Sequence, residues 1–143
     1  SAPKKAVRGV SLTLRPGEVF GLLGHNGAGK TSALKCLIGE LCCTGGSVHV
    51  GGFDMEGDTS RARQRIGYCP QFDALLELLT VRDHLALFGA LKGVPAEAVS
   101  LAPRQFRLEK MLDRRADHLS GGNKRKLSAA ISLLGAPALS VLD

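Results

Sequence analysis

The densest chemistry in the chain lies in eight consecutive residues, Gly24-His25-Asn26-Gly27-Ala28-Gly29-Lys30-Thr31. They fit the pattern G-x-x-x-x-G-K-[ST] in every required place. Main-chain N–H groups that converge on phosphate oxygens need a path that side chains would obstruct. Glycine opens that path and accepts the unusual φ values it demands. Lys30 would reach the β- and γ-phosphates of a nucleoside triphosphate. Thr31 would offer its hydroxyl oxygen to Mg²⁺, and Ser32 would add one more phosphate contact. His25 would shape the loop and not act as a base.

A loop of this kind must sit between a strand and a helix. Residues 19–23 (VFGLL) form a short apolar run of the buried-strand type. A helix is expected from Lys30, with Leu34, Leu37 and Ile38 on one face and Gly39 closing it. Residues 47–50 (SVHV) read as a strand ending at a Gly51-Gly52 turn, and residues 65–69 (RIGYC) as another ended by Pro70. Thr80 with Asp83 three residues on makes a capping pattern for a helix carrying Leu85, Phe88 and Leu91, which Gly93 and Pro95 terminate. Residues 105–112 suggest a further short helix. Ser120 caps the next, in which Leu127, Ile131 and Leu134 share a face. Residues 139–142 (LSVL) are a last buried-strand run, with Asp143 at its carboxyl end. This order predicts an α/β fold with a mainly parallel central sheet, and ligands in such sheets bind at the carboxyl ends of the strands.

The 143 residues amount to one domain, and 44% hydrophobic against 22% charged residues excludes wholesale disorder. The longest uncharged stretch near the end, residues 127–142, is broken by Gly135 and Pro137 and falls short of the ~20 apolar residues a bilayer span needs. The first ten residues hold Lys4, Lys5 and Arg8 with no apolar block, unlike a secretory signal. The net charge is +6, and +5 of it falls between residues 104 and 126. A positive field of that kind suits an anionic partner as well as it suits a solvated helix face. Five Phe and one Tyr, not interleaved with basic residues, argue against a nucleic-acid stacking platform. Cys36, Cys42, Cys43 and Cys69 contain no CxxC pair, and four reduced thiols are expected.

Three further strings stand in order after the phosphate loop: Gly67-Tyr68-Cys69-Pro70-Gln71, Leu119-Ser120-Gly121-Gly122-Asn123, and residues 138–143 (ALSVLD). Together the four resemble the phosphate loop, Q-loop, signature and Walker B strand of ATP-binding cassette (ABC) transporters, over nearly the whole chain. The strings GLLGHNGAGKTS, IGYCPQFDALLELLT and LSGGNKRKLS resemble the eukaryotic A subfamily in particular. Asn123 stands where many cassettes carry Gln.

The resemblance implies a P-loop NTPase with a helical signature subdomain. Residues 1–70 and 135–143 would form the nucleotide-binding core, and 71–134 the Q-loop, helical subdomain and signature helix. It implies ATP and Mg²⁺, with Thr31, Gln71 and Asp143 around the metal and Lys30, Gln71 and Asp143 serving hydrolysis. Leu119, Ser120, Gly121, Gly122 and Asn123 would act in trans, on ATP held by a second cassette. Transmembrane domains would be the other partners, the domain lying on the cytosolic face of a membrane transporter, and lipids the probable cargo by subfamily. Exposed residues among Leu75, Leu76, Leu78 and Leu79 would serve as a docking surface.

Departures from the pattern bear on hydrolysis. The family's Glu follows the position of Asp143, its switch His comes later, and its adenine-stacking aromatic lies upstream of Val10. A partial cassette with weak or no ATPase activity is therefore expected. Residues 93–118 are short for the family, and Ala102-Pro103 would interrupt a helix there. The alternatives are a nucleotide-binding fragment without hydrolysis and a soluble cassette ATPase outside transport.

Overall fold

The Gly51-Gly52 turn is the simplest place where sequence becomes structure. In the computed structural model both glycines have positive φ, 57° and 86°. That is the two-residue turn whose twist matches an antiparallel hairpin. It joins β1 (His49–Val50) to β2 (Phe53–Asp54), with Val50 opposite Phe53. The structure describes residues 5–143; residues 1–4, including the Lys4 of the amino-terminal reading, lie outside it. The chain forms two compact units, Ser1–Arg63 and Gln64–Asp143.

In the first unit, α1 (Lys30–Leu37) starts where expected and is closed by Gly39 at φ 76°. Ile38 is buried, and Leu34 and Leu37 are partly so. After the hairpin, the Asp54 carboxylate accepts the Gly57 N–H at 2.9 Å and turns the chain into α2 (Thr59–Gln64). Met55 and Ala62 are buried beneath these elements. The expected strand at 19–23 is not formed. No ladder bond reaches it among the described residues, and Val19 and Leu23 stand 97% and 92% exposed. An apolar run becomes a strand only through hydrogen bonds to a neighbour.

The second unit is built on β3 (Ile66–Cys69) and β4 (Leu139–Leu142), paired in parallel with Ile66 opposite Leu139 and Cys69 opposite Leu142. The parallel sheet among the described residues is this pair. Against it packs α6 (Gly121–Leu133), the crossover between the strands. Its Ser132 lies beside Gly67 and its Arg125 beside Pro70, so it runs opposite to β3. Its amino end therefore points towards the carboxyl ends of both strands.

Thr80 and Asp83 form the full capping box of α3 (Val81–Leu91). The Thr80 hydroxyl and amide hold the Asp83 carboxyl below its ordinary pKa. His84 is wholly buried on this helix. Its Nδ1–H donates to the Thr80 carbonyl at 2.7 Å, and its Nε2 accepts the Leu76 N–H at 2.9 Å. Both ring nitrogens are thus satisfied by a neutral imidazole. The α3 face is narrower than its spacing suggests: Leu85 is buried, Phe88 half-buried, and Leu91 71% exposed. Past the helix end, Lys92 Nζ donates to the carbonyls of Ile131 and Ser132 at 2.7 and 3.1 Å. These are orphan acceptors at the carboxyl end of α6.

Residues 105–112 do not make the single helix expected. The chain forms α4 (Ala96–Val99), α5 (Ala102–Gln105) and a 3-10 turn over Glu109–Met111. Arg107, at φ 54°, breaks any continuous helix there. Pro103 does not interrupt a helix; it sits in the first turn of α5, where its missing N–H costs nothing. These elements close over Val81, Leu85, Leu108, Leu119, Leu127 and Leu134. Leu127 and Leu108 are fully buried, each contributing about 2 kcal/mol by transfer from water.

Candidate functional site

In the first unit the chain turns tightly through 24–29. Ala28 N–H donates to the His25 carbonyl at 3.1 Å, and Gly27 and Gly29 take φ of 83° and 92°. A side chain at either would be strained. At Gly29 a Cβ would also meet the Ala6 carbonyl oxygen at 2.3 Å. Lys30 folds back over the loop, its Nζ donating to the carbonyls of Gly24 at 2.6 Å and His25 at 2.9 Å. His25 Nδ1 bonds the Asn26 carbonyl at 2.8 Å, a local role in the shape of the loop.

No side chain caps the amino end of α1, and its first turn has no acidic residue. First-turn amides left open, a partial positive charge from the helix and an ammonium group above them suit a polyphosphate. Thr31 is exposed and Ser32 half-exposed in that turn.

In the second unit, Gln71 and Asp143 follow β3 and β4 at the same end of the parallel pair. Asp143 N–H extends the ladder to the Cys69 carbonyl at 3.0 Å. Gln71 is exposed and Asp143 half-exposed, and neither side chain is paired among the described residues. Ser120 Oγ accepts the Asn123 N–H at 3.4 Å as the cap of α6. Ser120, Gly121 and Gly122 are exposed and Leu119 is buried beneath them, with Asn123 half-exposed. A Cβ at either glycine would meet nothing within 4 Å. The surface above these two residues is therefore open.

No group of three or more His, Cys, Asp and Glu is placed to cage a metal among the described residues.

Phe72, Leu76 and Leu78 are strongly exposed beyond Gln71, whereas Leu75 packs on the core and Leu79 is half-buried. His118 is exposed beside the signature. All four cysteines are free. Burial pushes the Cys69 and Cys43 thiols up, the latter helped by contact with Cys36.

Sequence reasoning missed the partners of Arg125. The run Lys124-Arg125-Lys126 reads as positive charge opposing the α6 dipole. Instead Arg125 Nη1 donates to the Pro70 carbonyl, and Nη2 to the main-chain oxygen of Asp143. Its guanidinium also lies 3.7 Å from Asp73. Fifty-five residues separate Pro70 from Arg125, and no local pattern signals the contact.

The family profile described as ABC transporter matches residues 7–143. The chain is 50% identical to ATP-binding cassette sub-family A member 2 of Rattus norvegicus, covering 96% of this chain and 6% of that protein. It is 46% identical to the phospholipid-transporting ATPase ABCA3 of Mus musculus, covering 99% of this chain and 9% of the relative. It thus spans less than a tenth of either relative. Among solved structures, cbiO1 of Clostridium perfringens, part of the ABC transporter complex cbiONQ, superimposes with a TM-score of 0.83 at 25% identity over 96% of this chain and 58% of that one. With that profile matching nearly its whole length, this chain belongs to the ABC transporter family.

Proposed function

We propose that this chain binds ATP with Mg²⁺ as the nucleotide-binding part of an ATP-driven phospholipid transporter. The observation that carries the reading is the uncapped amino end of α1 beneath the Lys30 ammonium group. Residues 24–32 would cradle the phosphates through main-chain amides, with Lys30 exchanging its two loop carbonyls for phosphate oxygens.

Bound Mg²⁺ would supply charge neutralisation of the β- and γ-phosphates. Thr31 would give it one oxygen and Asp143 would orient its shell, while Gln71 would contact the metal or hold the attacking water. Ser120, Gly121 and Gly122, open on the surface, would close on the γ-phosphate of ATP held by a second cassette. Residues 71–134 would act as the helical subdomain facing the transmembrane partners, with 1–70 and 135–143 as the nucleotide-binding core.

Titration with a fluorescent ATP analogue tests the binding. Saturable binding that tightens when Mg²⁺ replaces EDTA is expected. In Asp143→Asn the Mg²⁺-dependent gain should fall about ten-fold, the worth of one charge-assisted ligand bond. Binding that does not saturate would refute the reading.

Phospholipid as cargo is supported by the similarity to ABCA3, a phospholipid-transporting ATPase. A protein carrying this segment, reconstituted in vesicles, should hydrolyse ATP faster with phospholipid present than in detergent alone. Equal rates would remove the lipid assignment and leave nucleotide binding standing.

A further inference from the structure

Gln71 sits in a stretch with few ties of its own. Phe72 is 81% exposed, and Gln71, Asp73 and Ala74 are also on the surface. Side chains of α6 bond this stretch at two places. Arg125 donates to the Pro70 carbonyl, immediately before Gln71. Ser128 Oγ donates to Asp73 Oδ1 at 2.7 Å, two residues after it. The Arg125 guanidinium lies 3.7 Å from the same Asp73 oxygen, and its other nitrogen reaches the main-chain oxygen of Asp143.

We infer that Arg125, acting with Ser128 through Asp73, is a positioning residue that clamps Gln71 and the carboxyl end of β4 to the signature helix. The clamp deepens the proposed nucleotide site and rests on that reading for its role in catalysis, though not for its existence.

The residue type follows from the geometry. Two main-chain oxygens accept from two different guanidinium nitrogens while a carboxylate lies 3.7 Å away, and a planar guanidinium carries donors along its whole edge. A lysine ammonium on a flexible stem satisfies one or two of them. Arg125 is also only one turn of α6 below Ser120–Gly122. Arg125 thus ties the strand ends and the chain around Gln71 to the same helix that begins at the exposed glycines. Neighbouring Lys124 and Lys126 make no bond of this kind, so charge alone does not account for the arrangement.

The test compares wild type with Arg125→Ala, Arg125→Lys, Ser128→Ala and Gln71→Ala in two measurements. The first is amide hydrogen exchange. Arg125→Ala should speed exchange at Leu76, whose N–H donates to the buried His84 at the end of this stretch, by about ten-fold, the loss of one charge-assisted bond, while 126–133 of α6 stay as protected as in wild type. Arg125→Lys should restore part of the protection.

The second is affinity for the fluorescent ATP analogue with Mg²⁺ and with EDTA. Arg125→Ala should lose the same Mg²⁺-dependent gain as Gln71→Ala, and the double variant should lose no more than either alone. Unchanged exchange at Leu76, or additive losses in the double variant, would overturn the clamp. If Arg125→Ala loosens α6 throughout, Ser128→Ala decides: faster exchange at Leu76 with α6 unchanged supports the clamp, and no change overturns it. If wild type binds no nucleotide, the nucleotide reading falls by itself, and the exchange comparison still decides whether the clamp exists.

Discussion

Lys30→Ala is expected to lower ATP affinity by about 100-fold or more, the loss of a charge-assisted contact to two phosphates in a confined loop. The Lys30 Nζ already lies over the loop, 2.6 Å from the Gly24 carbonyl and 2.9 Å from that of His25. Phosphate oxygens entering the loop meet the ammonium without a large movement of the side chain. Without it the amides of α1 still attract an anion, but nothing balances the charge of the β- and γ-phosphates. Stability should be nearly untouched, because both carbonyls are exposed and take water in place of the ammonium. Equilibrium binding of the fluorescent analogue, beside a urea unfolding curve of the same protein, separates the two effects. Wild-type affinity in the variant would refute phosphate binding by this loop.

The largest expected loss of stability comes from a glycine. Gly67 is buried in the middle of β3, and its φ is not positive, so backbone freedom is not the reason for it. A Cβ there would stand 2.1 Å from the Ser132 carbonyl oxygen and 2.8 Å from Pro137 Cγ. The Ser132 carbonyl belongs to α6, and Pro137 lies in the connection from α6 to β4. Neither can rotate aside as a flexible side chain would. Gly67→Ala must push α6 off the sheet, at a cost of about 3 kcal/mol or more. Against a total stability of roughly 5–15 kcal/mol for a domain, that is a severe loss. The midpoint of urea unfolding should fall markedly. Gly121→Ala, with open space around its Cβ and a place in the first turn of α6, should leave that midpoint unchanged or slightly raise it. Equal midpoints for the two variants would show that α6 and β3 are less closely packed than this.

Most of what was legible in the chain is local. The phosphate loop, the Thr80–Asp83 box, the Ser120 cap and the Gly39 stop are each written within a few residues, because capping and tight turns involve groups three or four positions apart. The strands at β3 and β4 are legible as short apolar runs, although only alternate residues, Gly67, Cys69 and Val141, are buried in the structure. Residues 19–23 show the limit of that signal: the same kind of run has no ladder here, and a run alone does not supply one. Leu91 shows another, as it keeps the helical spacing yet lies outside the packed face. The break at Arg107 is a third, a left-handed residue with no glycine to announce it.

By itself, then, the sequence determined the family and the α/β order, and it supplies the residues proposed to meet phosphate. Each of these depends on residue type at short spacing. Only the tertiary structure decided why Gly67 is glycine, which of three successive basic residues is engaged, and what holds the chain around Gln71. Those depend on atoms of α6 meeting atoms of β3 and its continuation, 55 and 65 positions apart along the chain. Contacts at that separation are set by how the helix crosses the strands, and no periodicity or local motif encodes the crossing.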